Sequence, residues 1–154
     1  MRPRDRLPHE LRAAYMALHR CSNTCFAQLG VTADQFVLLA TLERGHALTQ
    51  RDLAARMPSD PSTVRAMLVL LEKGGFVSRQ THPTDGRART VALTEAGRLK
   101  YRQVFAAGQA IRDQMVSSLS NAETRCLVKL LRRVSESLLA STKYVAAEST
   151  AKRN

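Results

Sequence analysis

No run of apolar residues in this 154-residue chain approaches the ~20 that a membrane-spanning helix needs. The N-terminal stretch MRPRDRLPHELRAAY is basic but has none of the apolar core that a signal peptide carries. Together these absences predict a cytoplasmic protein with no membrane partner. Cysteine is scarce: Cys21, Cys25 and Cys126 do not suggest a disulfide framework in a cytosolic chain. Catalytic signatures are missing too. There is no G-x-S-x-G, no glycine-rich phosphate loop and no H-E-x-x-H, and the four histidines (His9, His19, His46, His82) are scattered without nucleophile partners. A binding protein is expected rather than an enzyme, without cofactor or metal.

Acidic residues are the other shortage. Thirteen Asp and Glu face 24 Lys and Arg, a formal net charge of +11 and a pI near 10.6. Such an excess suits a polyanionic partner, although charge also serves solubility. Its placement is uneven. Residues 1–31 carry 5 basic groups against 2 acidic, residues 32–98 carry 9 against 7, and residues 99–154 carry 10 against 4. The middle is nearly balanced, so recognition of nucleic acid there must rest on individually placed residues.

An apolar fraction of 44% and a charged fraction of 24% are ordinary for a folded protein, and the length suits one domain with a helical appendage. Periodicity predicts six helices and one hairpin. The first helix runs from about Leu7 to Gln28, with Leu7, Leu11, Leu18, Cys21, Cys25 and Leu29 on one stripe. Thr32 and Gln35 form a capping-box signature ahead of a nearly all-round apolar helix that ends at Gly45. Thr49 caps LTQRDLAARM, with Leu53, Ala54 and Met57 inward. Asp60 caps the next helix and Pro61 takes its first position, while Val64, Met67, Leu68 and Leu71 share a face and Gly74-Gly75 stops it.

Beyond the glycines the period falls from 3.6 to 2. FVSRQTH and RTVALT flank the Asp85-Gly86 dipeptide, which predicts a hairpin, with a type I′ turn as its plain form. Two short helices followed at once by a hairpin make a winged helix-turn-helix. One long helix from Glu95 to Leu119, with Leu99, Phe105, Ile111 and Met115 inside, and a last one opened by Ser120 and Glu123 complete the mainly α chain. The last stripe holds Leu127, Leu130, Leu131, Val134 and Leu138. These outer stripes exceed what the central lobe covers, so a two-fold homodimer is expected. The predicted organisation is a dimerisation helix over 1–31, a DNA-binding lobe over 32–98, dimerisation helices over 99–143 and a flexible polar tail over 144–154.

DLAARMPSDPSTVRAMLVLLEKGGFVSR followed by DGRARTVALTEAG resembles the MarR (multiple antibiotic resistance regulator) family of bacterial transcription factors. The wing pattern Asp-x-Arg, an alternating strand and Leu-Thr-x-x-Gly is matched by Asp85, Arg87, Leu93, Thr94 and Gly97. The resemblance implies a dimer whose two winged helices face one DNA duplex, a double-stranded operator, commonly as a repressor released by a small, often aromatic, effector. It implies that the helix starting at Asp60 enters the major groove, where Ser62, Thr63 and Arg65 face bases and phosphates. It places Arg87 in the minor groove with Asp85 holding its orientation.

Other roles remain open on the residues alone. Thr49 and Gln50 are phosphate-contact candidates. Ser62 and Thr63 also suit capping, Asp85 a plain turn, and Arg65 a solvated charge. Arg89 contacts DNA or is turned away by strand alternation, and Arg79 and His82 are phosphate contacts or exposed strand residues. Cys21 and Cys25, four apart near the family's effector pocket, are buried core thiols, a redox pair, or metal ligands with His19 or His9. Cys126 is expected in the core or an interface. A redox-sensing regulator of the same fold and a non-specific architectural DNA binder are the alternative functions.

Overall fold

Capping chemistry sets most of the helix boundaries. A computed structural model describes the backbone of residues 2–82 and 84–151, with side chains through residue 141. Helix α1 spans Pro3–Ala27, beginning four residues earlier than the apolar stripe because Pro3, at the first helical position, loses no needed N–H. Helix α2 spans Ala33–Gly45 behind a complete capping box: the Thr32 hydroxyl accepts from the Gln35 amide (3.1 Å), and Gln35 Oε1 accepts from the Thr32 amide (3.0 Å). It ends through His46, whose φ of 60° lies in the left-handed region.

A short strand follows that the sequence pattern does not announce. Strand β1 is Ala47–Thr49, and three residues are too few to display a period of 2. Helices α3 (Gln50–Arg56) and α4 (Pro61–Lys73) come next, then β2 (Val77–Thr81) and β3 (Arg89–Leu93). The expected two-stranded wing is thus part of a three-stranded antiparallel sheet of order β1-β3-β2, with Leu48 opposite Val91 and Val77 opposite Leu93. Helix α5 spans Glu95–Ala107, α6 Gln109–Val116 and α7 Asn121–Ala151.

The single helix expected over Glu95–Leu119 is therefore broken at Gly108. Two causes coincide there: glycine is a poor helix former, and the Cys25 thiol donates to the Ala107 carbonyl at 3.3 Å, supplying an external partner at the break. The helical run of α7 continues to Ala151, so residues 144–151 are helical where a tail is expected, and residues 152–154 lie outside the described residues.

The chain forms two compact units, Met1–Ile111 and Arg112–Asn154. The first has one core, built from Phe26 on α1, Leu38, Leu39 and Leu42 on α2, Leu53 and Met57, all four predicted residues of α4 (Val64, Met67, Leu68, Leu71), Val91 and Leu93 on β3, and Val104 on α5. Phe36 stacks between Phe26 and Tyr101, with ring centroids 5.2 and 5.8 Å apart.

The second unit is mostly α7, whose start is capped reciprocally by Ser120 and Glu123. Among its described side chains, Leu127, Leu130, Leu131 and Leu138 are exposed in the single chain, as are Leu99, Phe105 and Met115, which the periodicity placed inside. The apolar stripes are present, with these side chains 39–63% exposed. Among the described residues, no single helix is long and apolar enough to cross a membrane.

Candidate nucleic-acid interface

The short helix α3 starts at a tight polar cap. The Thr49 hydroxyl accepts the Asp52 amide at 3.0 Å and donates to Asp52 Oδ2 at 2.6 Å. That hydrogen bond, first among the causes, holds the Asp52 carboxyl below its usual range, with Arg56 and Arg51 assisting. The Thr49 hydroxyl proton is thereby committed within the chain, while the neighbouring Gln50 is half-buried.

Helix α4 opens on a denser version of the same device. Asp60 accepts both the Ser62 and the Thr63 backbone N–H at 3.0 Å. The Ser62 hydroxyl also donates to Oδ1, and the Thr63 hydroxyl donates to Oδ2 at 2.5 Å. These bonds, led by the two hydroxyls, hold the Asp60 carboxyl far below the usual carboxylate range. The consequence is directional. Asp60 alone is the cap; Ser62 and Thr63 donate to it and stay exposed, so their hydroxyls turn lone pairs, not protons, outward. Arg65, one turn on, is exposed with no ion-pair partner among the described residues.

The wing is built differently from a two-residue hairpin. Thr81 and Arg89 are its last paired residues, and His82 closes the loop by donating its amide to the Ala88 carbonyl at 3.0 Å. Its Nδ1 accepts the Thr84 and Asp85 amides, each at 3.2 Å. The turn proper runs Asp85–Ala88, with the Ala88 amide bonded to the Asp85 carbonyl at 3.1 Å. Asp85 Oδ1 accepts the Arg87 amide at 3.0 Å, an Asx turn.

Type I′ geometry needs positive φ at both central residues, and neither Gly86 nor Arg87 has it. Asp85 therefore holds Arg87 through its backbone, and the Arg87 guanidinium is left exposed with no ion-pair partner among the described residues. Arg89, also exposed and without such a partner, shares its strand parity with Val91 and Leu93, on the core side of the sheet but past the core's end. Arg79 is different: its Nε bonds Glu72 Oε2 on α4 at 3.1 Å, tying the wing to the helix.

The pattern Leu93-Thr94-x-x-Gly97 fixes the far end of the wing. Thr94 donates its hydroxyl to the Gly75 carbonyl (2.6 Å) and accepts the Gly97 amide (3.0 Å), joining the end of α4 to the start of α5. Gly97 packs so closely that a Cβ there would lie 1.9 Å from the Phe76 carbonyl oxygen.

The two α1 cysteines do not share an environment. Cys21 is exposed, contrary to the core expectation, because the buried face of α1 is centred on Ser22 and Phe26 and Cys21 lies about a third of a turn away from it; Cys25 is half-buried against the core and bonded to Ala107. Cys126 on α7 is exposed. On α1, His19 bridges Asn23 (3.2 Å) and Asp34 (3.4 Å), and beside that bridge Asn23, Ala27, Gly30, Val31, Thr32 and Asp34 line an open depression of about 400 Å³. Among the described residues no group of three or more His, Cys, Asp or Glu is placed to hold a metal ion.

Ala66, Val69 and Lys73 were not singled out by sequence reasoning. They follow Ser62 along the outward ridge of α4, and the buried set Val64, Met67, Leu68 and Leu71 marks the opposite face. That inverse pattern was the available signal.

A family model described as the MarR family matches residues 31–88, from the turn before α2 to the wing tip. The HTH-type transcriptional repressor MdtR of Bacillus subtilis is 33% identical over 94 residues, 61% of this chain and 61% of that protein. The chain thus spans about three-fifths of that relative's length. The HTH-type transcriptional regulator ML2140 of Mycobacterium leprae is 31% identical over 126 residues, 80% of this chain and 86% of that protein. Among solved structures, a mutant MarR from E. coli complexed with operator DNA has a TM-score of 0.76 at 26% identity, covering 83% of this chain and 92% of that one. With a winged helix-turn-helix in the matched segment and a relative of this identity matched over most of its length, the chain belongs to the MarR family of transcriptional regulators.

Proposed function

We propose that this protein is a cytoplasmic repressor that binds a pseudo-palindromic DNA operator as a homodimer and is released by a small, aromatic effector. The observation that carries the reading is the set Arg65, Arg87 and Arg89: three exposed arginines, on α4 and the wing, none neutralised by an ion pair among the described residues. The other wing arginine, Arg79, is taken by Glu72 and positions the hairpin instead.

In this mechanism α4 enters the major groove. Ser62 and Thr63 present acceptors there, suited to the exocyclic amino groups of adenine and cytosine, because their hydroxyl protons are already donated in hydrogen bonds to the Asp60 carboxylate. Arg87 enters the adjacent minor groove, where narrow A·T-rich segments have strongly negative potential. Gln50 and Arg89 contact phosphate, fixing register without reading sequence. The half-sites lie about one helical turn (~10 bp) apart. An effector releases DNA only by binding the non-binding conformation more tightly.

The test is competition. DNA selected by the protein from a genomic library should stay bound at moderate salt against excess bulk DNA, because non-specific binding is mostly counterion release and is lost there. Equal affinity for any duplex would establish an architectural binder instead.

A further inference from the structure

Helix α4 carries apolar side chains on the side away from its core. Val64, Met67, Leu68 and Leu71 are buried, while Val69 and Leu70 are 50% and 58% exposed. At about 100° per residue, the direction opposite the buried set runs along Ser62, Ala66, Val69 and Lys73. Leu70 lies about a quarter turn off that ridge, on the side of Thr63, and Arg65 flanks the other side.

The ridge is small at Ser62 and Ala66, apolar at Val69 and basic at Lys73. Ser62 to Val69 spans about 10 Å of helix, close to the ~12 Å width of a major groove. The charge around it suits a duplex: Arg65 and Lys73 are exposed, and the nearby Glu72 is neutralised by Arg79.

We propose that Val69 is a specificity-determining residue that packs against the C5-methyl group of a thymine in each half-site. The inference rests on the reading of α4 as the major-groove helix and adds what that helix recognises. A thymine methyl is the apolar group on the major-groove edges, so an exposed valine at the centre of the ridge discriminates by burying it. Ala66, one turn earlier, leaves room for the base edge to approach. Polar neighbours orient the helix, and Val69 selects T·A at one position.

The experiment measures affinity for the selected operator and for duplexes in which single dT positions are replaced by dU, which removes only the methyl. Wild type should lose roughly fourfold when either of two symmetry-related positions, one per half-site, is replaced, the worth of one buried methyl group. Val69→Ala should bind the dT and dU duplexes equally, with the wild-type salt dependence, because no phosphate contact has changed. Leu70→Ala removes comparable exposed apolar surface and should keep the methyl dependence. Selective operator binding with no dU effect at any position overturns the proposal alone. So does methyl dependence that survives in Val69→Ala or disappears in Leu70→Ala. If wild type does not prefer its selected DNA over bulk DNA at all, both the proposal and the DNA-reading assignment fall.

Discussion

Gly86 in the turn dipeptide and Gly97 in the wing pattern answer to different physics. Gly86 has open space where a Cβ would go and a φ outside the left-handed region, so nothing in the turn requires glycine there. Gly97 meets the Phe76 carbonyl, and a methyl group can be placed only by moving backbone. Gly86→Ala should therefore leave the unfolding free energy within about 0.5 kcal/mol of wild type. Gly97→Ala should destabilise by about 1–3 kcal/mol, the range of an overpacked site. Chemical denaturation of the two variants checks both, and equal effects would contradict the account of the motif.

Asp85 shows the same limit of reading from residue type alone. Its place beside Gly86 suggests a two-residue turn, but the His82 ring and an Asx turn build a longer loop. Side-chain acceptors acting on backbone amides are invisible to a dipeptide pattern.

At the scale of elements, the caps carry the clearest energetic consequence. Asp60, Asp52 and Glu123 all sit at helix starts with carboxyls held below their ordinary range by hydrogen bonds. A depressed folded pKa means that the unfolded chain binds protons first. The stabilisation is complete above the unfolded carboxylate pKa, near 4, and is lost as pH falls below it. Asp60→Asn keeps a good cap without the titrating charge. Thermal unfolding followed from pH 7 to pH 3 should show a smaller loss of Tm in this variant than in wild type; parallel curves would contradict the role given to Asp60.

Helices α2, α3 and α4 were legible in the sequence because cap, inner face and stop signal agree at Thr32, Thr49, Asp60 and Gly74. Strand β1 was not, because Ala47–Thr49 is a strand only through its pairing with β3. The break at Gly108 was hidden for a related reason: the thiol donor at Ala107 comes from a residue 82 positions away. Arg65, Arg87 and Arg89 were legible as candidates by type and place, whereas the pairing of Arg79 with Glu72 and the ridge of Ala66 and Val69 needed the folded helix.

For the whole molecule, periodicity reveals that an apolar stripe exists but not which chain covers it. Leu127, Leu130, Leu131 and Leu139 on α7 are exposed in the single chain, as is Leu7 on α1. The proposed homodimer would bury them, since burying such stripes is the main favourable contribution to association. Replacing Leu130 and Leu131 together by lysine should shift the protein from two chains to one in sedimentation and weaken operator binding. A wild type that sediments as a single chain at micromolar concentration would contradict the dimer.

The central claim is that a few placed arginines, and not the overall +11 charge, carry recognition by the winged lobe. A gel-shift titration of Arg87→Ala against wild type on the selected operator tests it most directly. Affinity should fall roughly tenfold or more, with unchanged circular dichroism and unchanged sedimentation. Unchanged affinity on the operator would contradict it.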